Sequence, residues 1–152
     1  MEIRPFERLG ELPFYDADLE AKGEPEPVAA LKRAIAGADA LLVATPEYNY
    51  GVPGVLKNAV DWASRPAGKS ALDRKPAAIM GASPGALGTV RAQLSLRQAF
   101  QHNETYVLLR PELLVGRAQE KFDAAGRLAD EPTRQALRRF LEAFDAWAMR
   151  FR

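Results

Sequence analysis

Two short segments concentrate the residue types that can do chemistry. The first is Thr45-Pro-Glu-Tyr-Asn-Tyr-Gly-Val-Pro53. Pro46 and Pro53 remove backbone freedom at both ends, and Gly51 permits a conformation that a side chain would forbid. Tyr48 and Tyr50 offer flat apolar surface with polar tips, while Glu47 and Asn49 add polar groups. A rigid loop with free backbone N–H and C=O groups and aromatic walls suits a flat heteroaromatic ligand. Its amides can read ring carbonyls and ring nitrogens. The same residues also make an ordinary strand-to-helix turn with Pro53 at the helix start. The second segment is Gly81-Ala-Ser-Pro-Gly-Ala-Leu-Gly88, where glycines and a serine let backbone approach a ligand closely. It is neither a G-x-G-x-x-G fingerprint nor a P-loop, since no Gly-Lys-Ser/Thr follows. A flexible turn accounts for it equally well.

Other chemistry has little material to work with. There is no cysteine, which removes thiolate catalysis, disulfides and Cys-ligated metals. His102 is the single histidine and falls at a helix end, where a cap or a solvated ring is expected rather than a catalytic base. Asp16 and Asp18 lie in a loop without the further oxygen ligands that a divalent cation needs. The 152 residues carry 21 basic and 20 acidic side chains, a balance that argues against a nucleic-acid binder. No apolar run approaches the roughly 20 residues that span a bilayer, and the charged start MEIRPFERLG is not a signal peptide. The expectation is a soluble, cytoplasmic, single-domain protein over 1–152, with no nucleic-acid or membrane partner.

The elements that must position the two loops alternate between short apolar runs and amphipathic stretches. Met1–Phe6 reads as a short strand and Glu7–Glu26 as loop. A helix is expected over Val28–Ala36, with Val28, Leu31 and Ile35 on one face and Gly37 as its stop. Ala40–Ala44 and Pro76–Gly81 are continuous apolar runs, as in parallel strands covered on both faces. Each leads into one of the loops and then a helix, Gly54–Ser64 and Thr89–His102. Thr105–Leu109 is a further strand, resuming at Leu113–Val115. From Glu131 to Phe151 the apolar residues repeat at three-and-four spacing, the mark of a docking helix. Strand–loop–helix repeats indicate an α/β doubly wound parallel sheet, in which ligands sit beyond the carboxyl ends of the strands. Both loops fall at that edge.

On these residues the chain resembles the NADPH-dependent FMN reductase family, which includes chromate, quinone and azoreductase-like enzymes. Thr45–Trp62, followed by Ala63-Ser-Arg-Pro66, is similar to the family signature. Gly81–Arg91 resembles its second flavin loop, Ala92–Gln98 the helix after it, and Leu12–Asp18 the loop after its second strand. The resemblance implies a flavodoxin-like sheet of order 2-1-3-4-5, FMN as cofactor and NADPH or NADH as co-substrate. The acceptor would be a quinone, free flavin, azo compound or metal oxyanion. Pro46, Glu47, Tyr48 and Asn49 would lie beside the isoalloxazine, largely through backbone contacts, with Ser83 and Gly85 on its other side. The flavin would carry the chemistry, with no side chain as acid or base. A homodimer or homotetramer is implied, with Arg91 and Arg97 in the contact region; plain solvated charge is the other account of these two arginines.

The family pattern opens with a strand, a Gly-Ser-x-Arg-x-x-Ser-x-Asn loop that binds the FMN phosphate, and a helix. This sequence has no such loop, and Met1–Phe6 aligns with the family's second strand. The absent unit is on the order of 30 residues. The expectation is a domain incomplete at its N-terminus, with Met1 internal to a longer protein. The alternative is a shortened relative in which strand two pairs with strand three, or a partner chain supplies the strand. The 152 residues alone are then expected to bind FMN weakly and to be of low stability. Two other functions compete. A flavodoxin-type electron carrier is disfavoured by the +1 net charge. A non-catalytic oligomerisation module with weak or no FMN binding is motivated by the missing phosphate loop.

Overall fold

The computed structural model describes residues 1–151. A parallel sheet is built from β1 (Leu41–Ala44), β2 (Pro76–Ala82), β3 (Tyr106–Val107) and β4 (Leu113–Val115). β2 is central and pairs with β1 from Leu41↔Ala77 to Ala44↔Met80. Its other side meets β3 at Pro76 and Ala77, and β4 from Met80 to Ala82. β3 and β4 therefore share one position in the sheet, broken at 108–112. Pro111 lies in the break, where a residue without an amide proton removes no ladder bond.

The strand pleat separates two cores. Val43 and Ile79 point to one face, where α2 (Glu26–Ala36), α3 (Gly54–Ala63) and α4 (Val90–His102) pack. There Val28, Leu31 and Ile35 meet Val60, Trp62, Leu96 and Phe100. Leu42, Ala78 and Met80 point to the other face, covered by α5 (Glu131–Ala148) through Phe140 and Phe144. The result is a three-layer α/β/α arrangement in which both β1 and β2 end at the same edge of the sheet. Continuous apolar strands without alternation, as in Pro76–Ile79, follow from burial on both faces.

Helix ends are set by identifiable groups. Asp130 caps α5 by accepting from the Thr133 amide, and its contacts with Thr133 and Lys121 hold the carboxyl below the usual carboxylate range. Pro25 precedes α2, and Pro27 lies in its first turn, where a missing N–H costs nothing. Asn58 and Trp62 of α3 reach back to an earlier segment. Asn58 donates to the Pro13 carbonyl at 2.9 Å and accepts from the Tyr15 amide at 2.8 Å, and Trp62 Nε1 donates to the same Pro13 carbonyl at 2.8 Å. The segment 12–15 is thereby fastened to the helix that follows the first loop.

Two sequence expectations need correction. Met1–Phe6 forms no strand. Met1 and Ile3 remain 61% and 55% exposed, and the described sheet pairs no strand with this segment. Phe6 instead packs on the α2/α3 core, while the Met1 amino group lies 3.9 Å from Asp145 of α5. The Glu7–Glu26 segment is not all loop. It holds a 3-10 turn, Leu9–Glu11, and α1 (Ala17–Lys22). Asp16 caps α1 by accepting from the amides of Asp18 and Leu19. The helix expected over Glu131–Phe151 ends at Ala148 and continues as a 3-10 turn, Met149–Phe151; the other expected helices and strands fall within a residue or two of their positions.

Candidate active site

The first loop ends in a miniature hairpin. Tyr48 and Gly51 exchange both backbone hydrogen bonds, N–H to O at 3.1 Å one way and 2.9 Å the other. The two residues between them are left-handed, Asn49 at φ 49° and Tyr50 at φ 64°. That is the pattern of a type I′ turn. Asn tolerates this region, but a tyrosine there costs roughly 1–2 kcal/mol. Such strain persists where surroundings impose it and clusters at functional sites. Tyr48 and Tyr50 stand exposed on the hairpin, at 63% and 73%. Among the described residues, the amides of Glu47, Asn49 and Tyr50 find no protein acceptor.

The second loop is held from the β4 side. The Ser83 amide donates to the Val115 carbonyl at 2.9 Å, and the Ala118 amide donates to the Ser83 carbonyl at 3.0 Å. The Gly85 carbonyl accepts from the Arg117 amide at 3.1 Å, and Ser83 Oγ accepts from the Gly85 amide at 3.2 Å. Close approach demands glycine at Gly81, Gly88 and Gly116, most tightly at the first and last. A Cβ on Gly81 would stand 2.1 Å from the Thr45 carbonyl oxygen, and one on Gly116 would stand 2.3 Å from that of Ala86. The Thr45 amide completes this join by donating to the Met80 carbonyl at 3.0 Å.

Glu47 ties the loops together. Its carboxylate accepts from the amides of Arg91 and Ala92, at 2.9 and 3.0 Å. The Glu47 side chain is 8% exposed, and the Arg91 guanidinium stands 3.5 Å from its second oxygen. The same guanidinium lies 4.1 Å above the centre of the Tyr50 ring. Glu47 thus turns its side chain away from the open edge and leaves its backbone there. Pro46, Tyr48 and Asn49 follow β1, while Ser83 and Gly85 follow the adjacent β2. All six candidates gather at one sheet edge.

Other candidates lie apart. His102 ends α4 about 16 Å along the helix from Arg91. Arg97 donates to the Leu108 carbonyl at 3.0 Å, and burial lowers its pKa. The supports at Val115, Gly116, Arg117 and Ala118 were not visible in the sequence reading. The left-handed Arg117, at φ 49°, gives no compositional cue.

This edge fits the ring of a flavin. It offers unpartnered amides for ring carbonyls and nitrogens, with exposed aromatic surface beside them. It does not offer the α4 N-terminus to a phosphate, because Glu47 already occupies those amides.

A parallel sheet between helical layers, with these loops at its carboxyl edge, is the flavodoxin-like α/β arrangement. The model of a known family, NADPH-dependent FMN reductase, matches residues 1–120. An NAD(P)H-dependent FMN reductase of Pseudomonas aeruginosa is 48% identical over 93% of this chain and 76% of its own length. A 2-hydroxy-1,4-benzoquinone reductase of Burkholderia is 44% identical over 93% of this chain and 77% of its own. The flavoenzyme NAD(P)H:(acceptor) oxidoreductase FerB from Paracoccus denitrificans has a solved structure that superposes with a TM-score of 0.85. It is 41% identical and covers 94% of this chain and 78% of its own. The chain belongs to the NADPH-dependent FMN reductase family. It is an oxidoreductase with FMN as cofactor and NADPH or NADH as co-substrate.

Tyr50 separates stability from binding. Tyr50→Gly relieves left-handed strain but loses the Arg91 contact and gains chain entropy in the unfolded state. The expected unfolding free energy stays within about 1 kcal/mol of the parent. FMN affinity is expected to fall about tenfold, the scale of one lost aromatic contact. Urea unfolding and flavin titration on the same preparation check both. A large stability loss with unchanged affinity would refute the assignment.

Proposed function

We propose that the protein transfers two electrons from NAD(P)H to a small quinone, using FMN held between the two loops. The backbone of Pro46, Glu47, Tyr48 and Asn49 flanks one side of the ring system, and Ser83 and Gly85 flank the other. FMN bound there would supply the hydride-transfer chemistry between the nicotinamide and the acceptor, and the backbone of these loops would hold its ring. The balanced reaction is NAD(P)H plus H⁺ plus quinone, giving NAD(P)⁺ and hydroquinone. The residues bind and orient the ring; none is required as an acid or base. The observation that carries this reading is the pairing of unpartnered amides with exposed tyrosines at the carboxyl edge of β1. The quinone acceptor is supported by the relatives named for that activity, at 41% and 44% identity.

The 152 residues act as one flavodoxin-like unit. The working form is a homodimer or homotetramer in the cytoplasm, with Tyr48, Tyr50, Val55 and Leu94 supplying apolar surface near the loops. No helix of the described residues is long and apolar enough to cross a membrane. The test is a titration of the chain with FMN, followed by flavin fluorescence quenching, then NADPH oxidation with a benzoquinone. Saturation near one FMN per chain, at the weak affinity expected of these 152 residues without the phosphate loop, and quinone-dependent oxidation are expected. Absence of both would leave an interaction module in place of an enzyme.

A further inference from the structure

We propose that Glu47 is a positioning residue, whose buried carboxylate caps α4 from the first loop and so fixes the separation of the two ring-flanking loops. This rests on the flavin-site reading above and assigns its side chain a task distinct from touching the ring.

The observations come from both ends of the contact. α4 has no cap of its own. Thr89 precedes it without a side-chain cap bond, and no acidic residue stands in its first turn. The first-turn amides of a helix need acceptors, and a negative charge there is favoured by the helix dipole. Glu47 supplies both from a position 44 residues before Arg91. The loop tip is fastened to the same turn, since Arg91 lies over the Tyr50 ring. Base and tip of the first loop are therefore both attached to the helix that the second loop leads into. Moving the Glu47 carboxylate would free the first loop relative to Ser83 and Gly85, although no atom of that carboxylate points to the open edge.

The test compares Glu47→Leu, which removes the acceptor, with Glu47→Gln, which keeps one neutral acceptor oxygen. Amide hydrogen exchange is measured on the protein without flavin, together with FMN affinity. In Glu47→Leu, exchange at Arg91 and Ala92 should rise at least tenfold. Exchange at the hairpin amides of Tyr48 and Gly51 should rise with it. The α5 amides of Phe140 and Phe144 should keep their protection. FMN should bind at least tenfold more weakly in Glu47→Leu and within about threefold of the parent in Glu47→Gln. Unchanged exchange at Tyr48 and Gly51 would overturn the proposal. So would an equal rise in α5, which would mean general destabilisation. Should Glu47→Leu not fold, Glu47→Gln decides: Arg91, Ala92 and hairpin exchange must stay near the parent. If the parent chain itself bound no FMN, the functional reading would fall. The exchange comparison would still decide whether Glu47 couples the loops.

Discussion

Trp62→Ala is expected to lower the unfolding free energy by about 3–5 kcal/mol, the range for emptying a large aromatic site in a core. Trp62 is fully buried between α3 and the 12–15 segment. Its ring meets Tyr15 edge-on with centroids 5.0 Å apart, and its Nε1–H donates to the Pro13 carbonyl. The substitution removes packing, an aromatic contact and a hydrogen bond together. Trp62→Phe should cost far less, because the ring volume largely stays and Asn58 still donates to the Pro13 carbonyl. Urea unfolding followed by circular dichroism measures both. With a typical domain holding about 5–15 kcal/mol, the alanine variant will approach the limit of folding. A loss below about 1 kcal/mol would show that the segment 12–15 does not depend on α3.

Gly81→Ala should damage the site more directly. The new methyl would meet the Thr45 carbonyl oxygen at 2.1 Å and Thr89 Oγ1 at 2.4 Å. The first is backbone directly after β1, and the second is a buried side chain that accepts from Gln93 just before α4. The backbone oxygen cannot turn aside, so the β1–β2 join must open where the loops leave it. Overpacking of this kind costs about 1–3 kcal/mol. FMN affinity should fall by more than tenfold, since both loops shift. Gly10→Ala is the control, because no atom lies within 4 Å of its added Cβ. Titration of both variants with FMN should separate them. Parent-like affinity in Gly81→Ala would mean that the join does not set the loop geometry.

Helical periodicity places α2 to α5, and unbroken apolar runs place β1 and β2, because burial on one face leaves a repeat and burial on both leaves none. Periodicity was not enough for α1, whose six residues are too few to show a repeat, although Asp16 carried its capping signal. Met1–Phe6 reads as a strand through its alignment with the family's second strand. A strand also needs a neighbour and a buried face, and neither is present there. The site was legible as two loops, since proline, glycine and tyrosine concentrate in them. The direction of the Glu47 side chain was not legible. A carboxylate beside a ligand and one capping a helix 44 residues away look the same in a sequence. The 115–118 support is marked in the sequence by Gly116 alone, since its backbone hydrogen bonds leave no trace in residue type.

The long reach of the Glu47 tie bears on the order in which the molecule assembles. Contacts between residues 44 and 45 positions apart carry a loop-closure cost that is met only after the intervening chain has folded. Pairing of β1 with β2 and formation of α4 bring the two ends of that contact together. The clasp then closes on a framework that is already stable, with its tyrosines still in solvent. The region is correspondingly the first to let go. Under gentle heating or low urea, the chain would shed its flavin while the α5 face of the sheet remains intact.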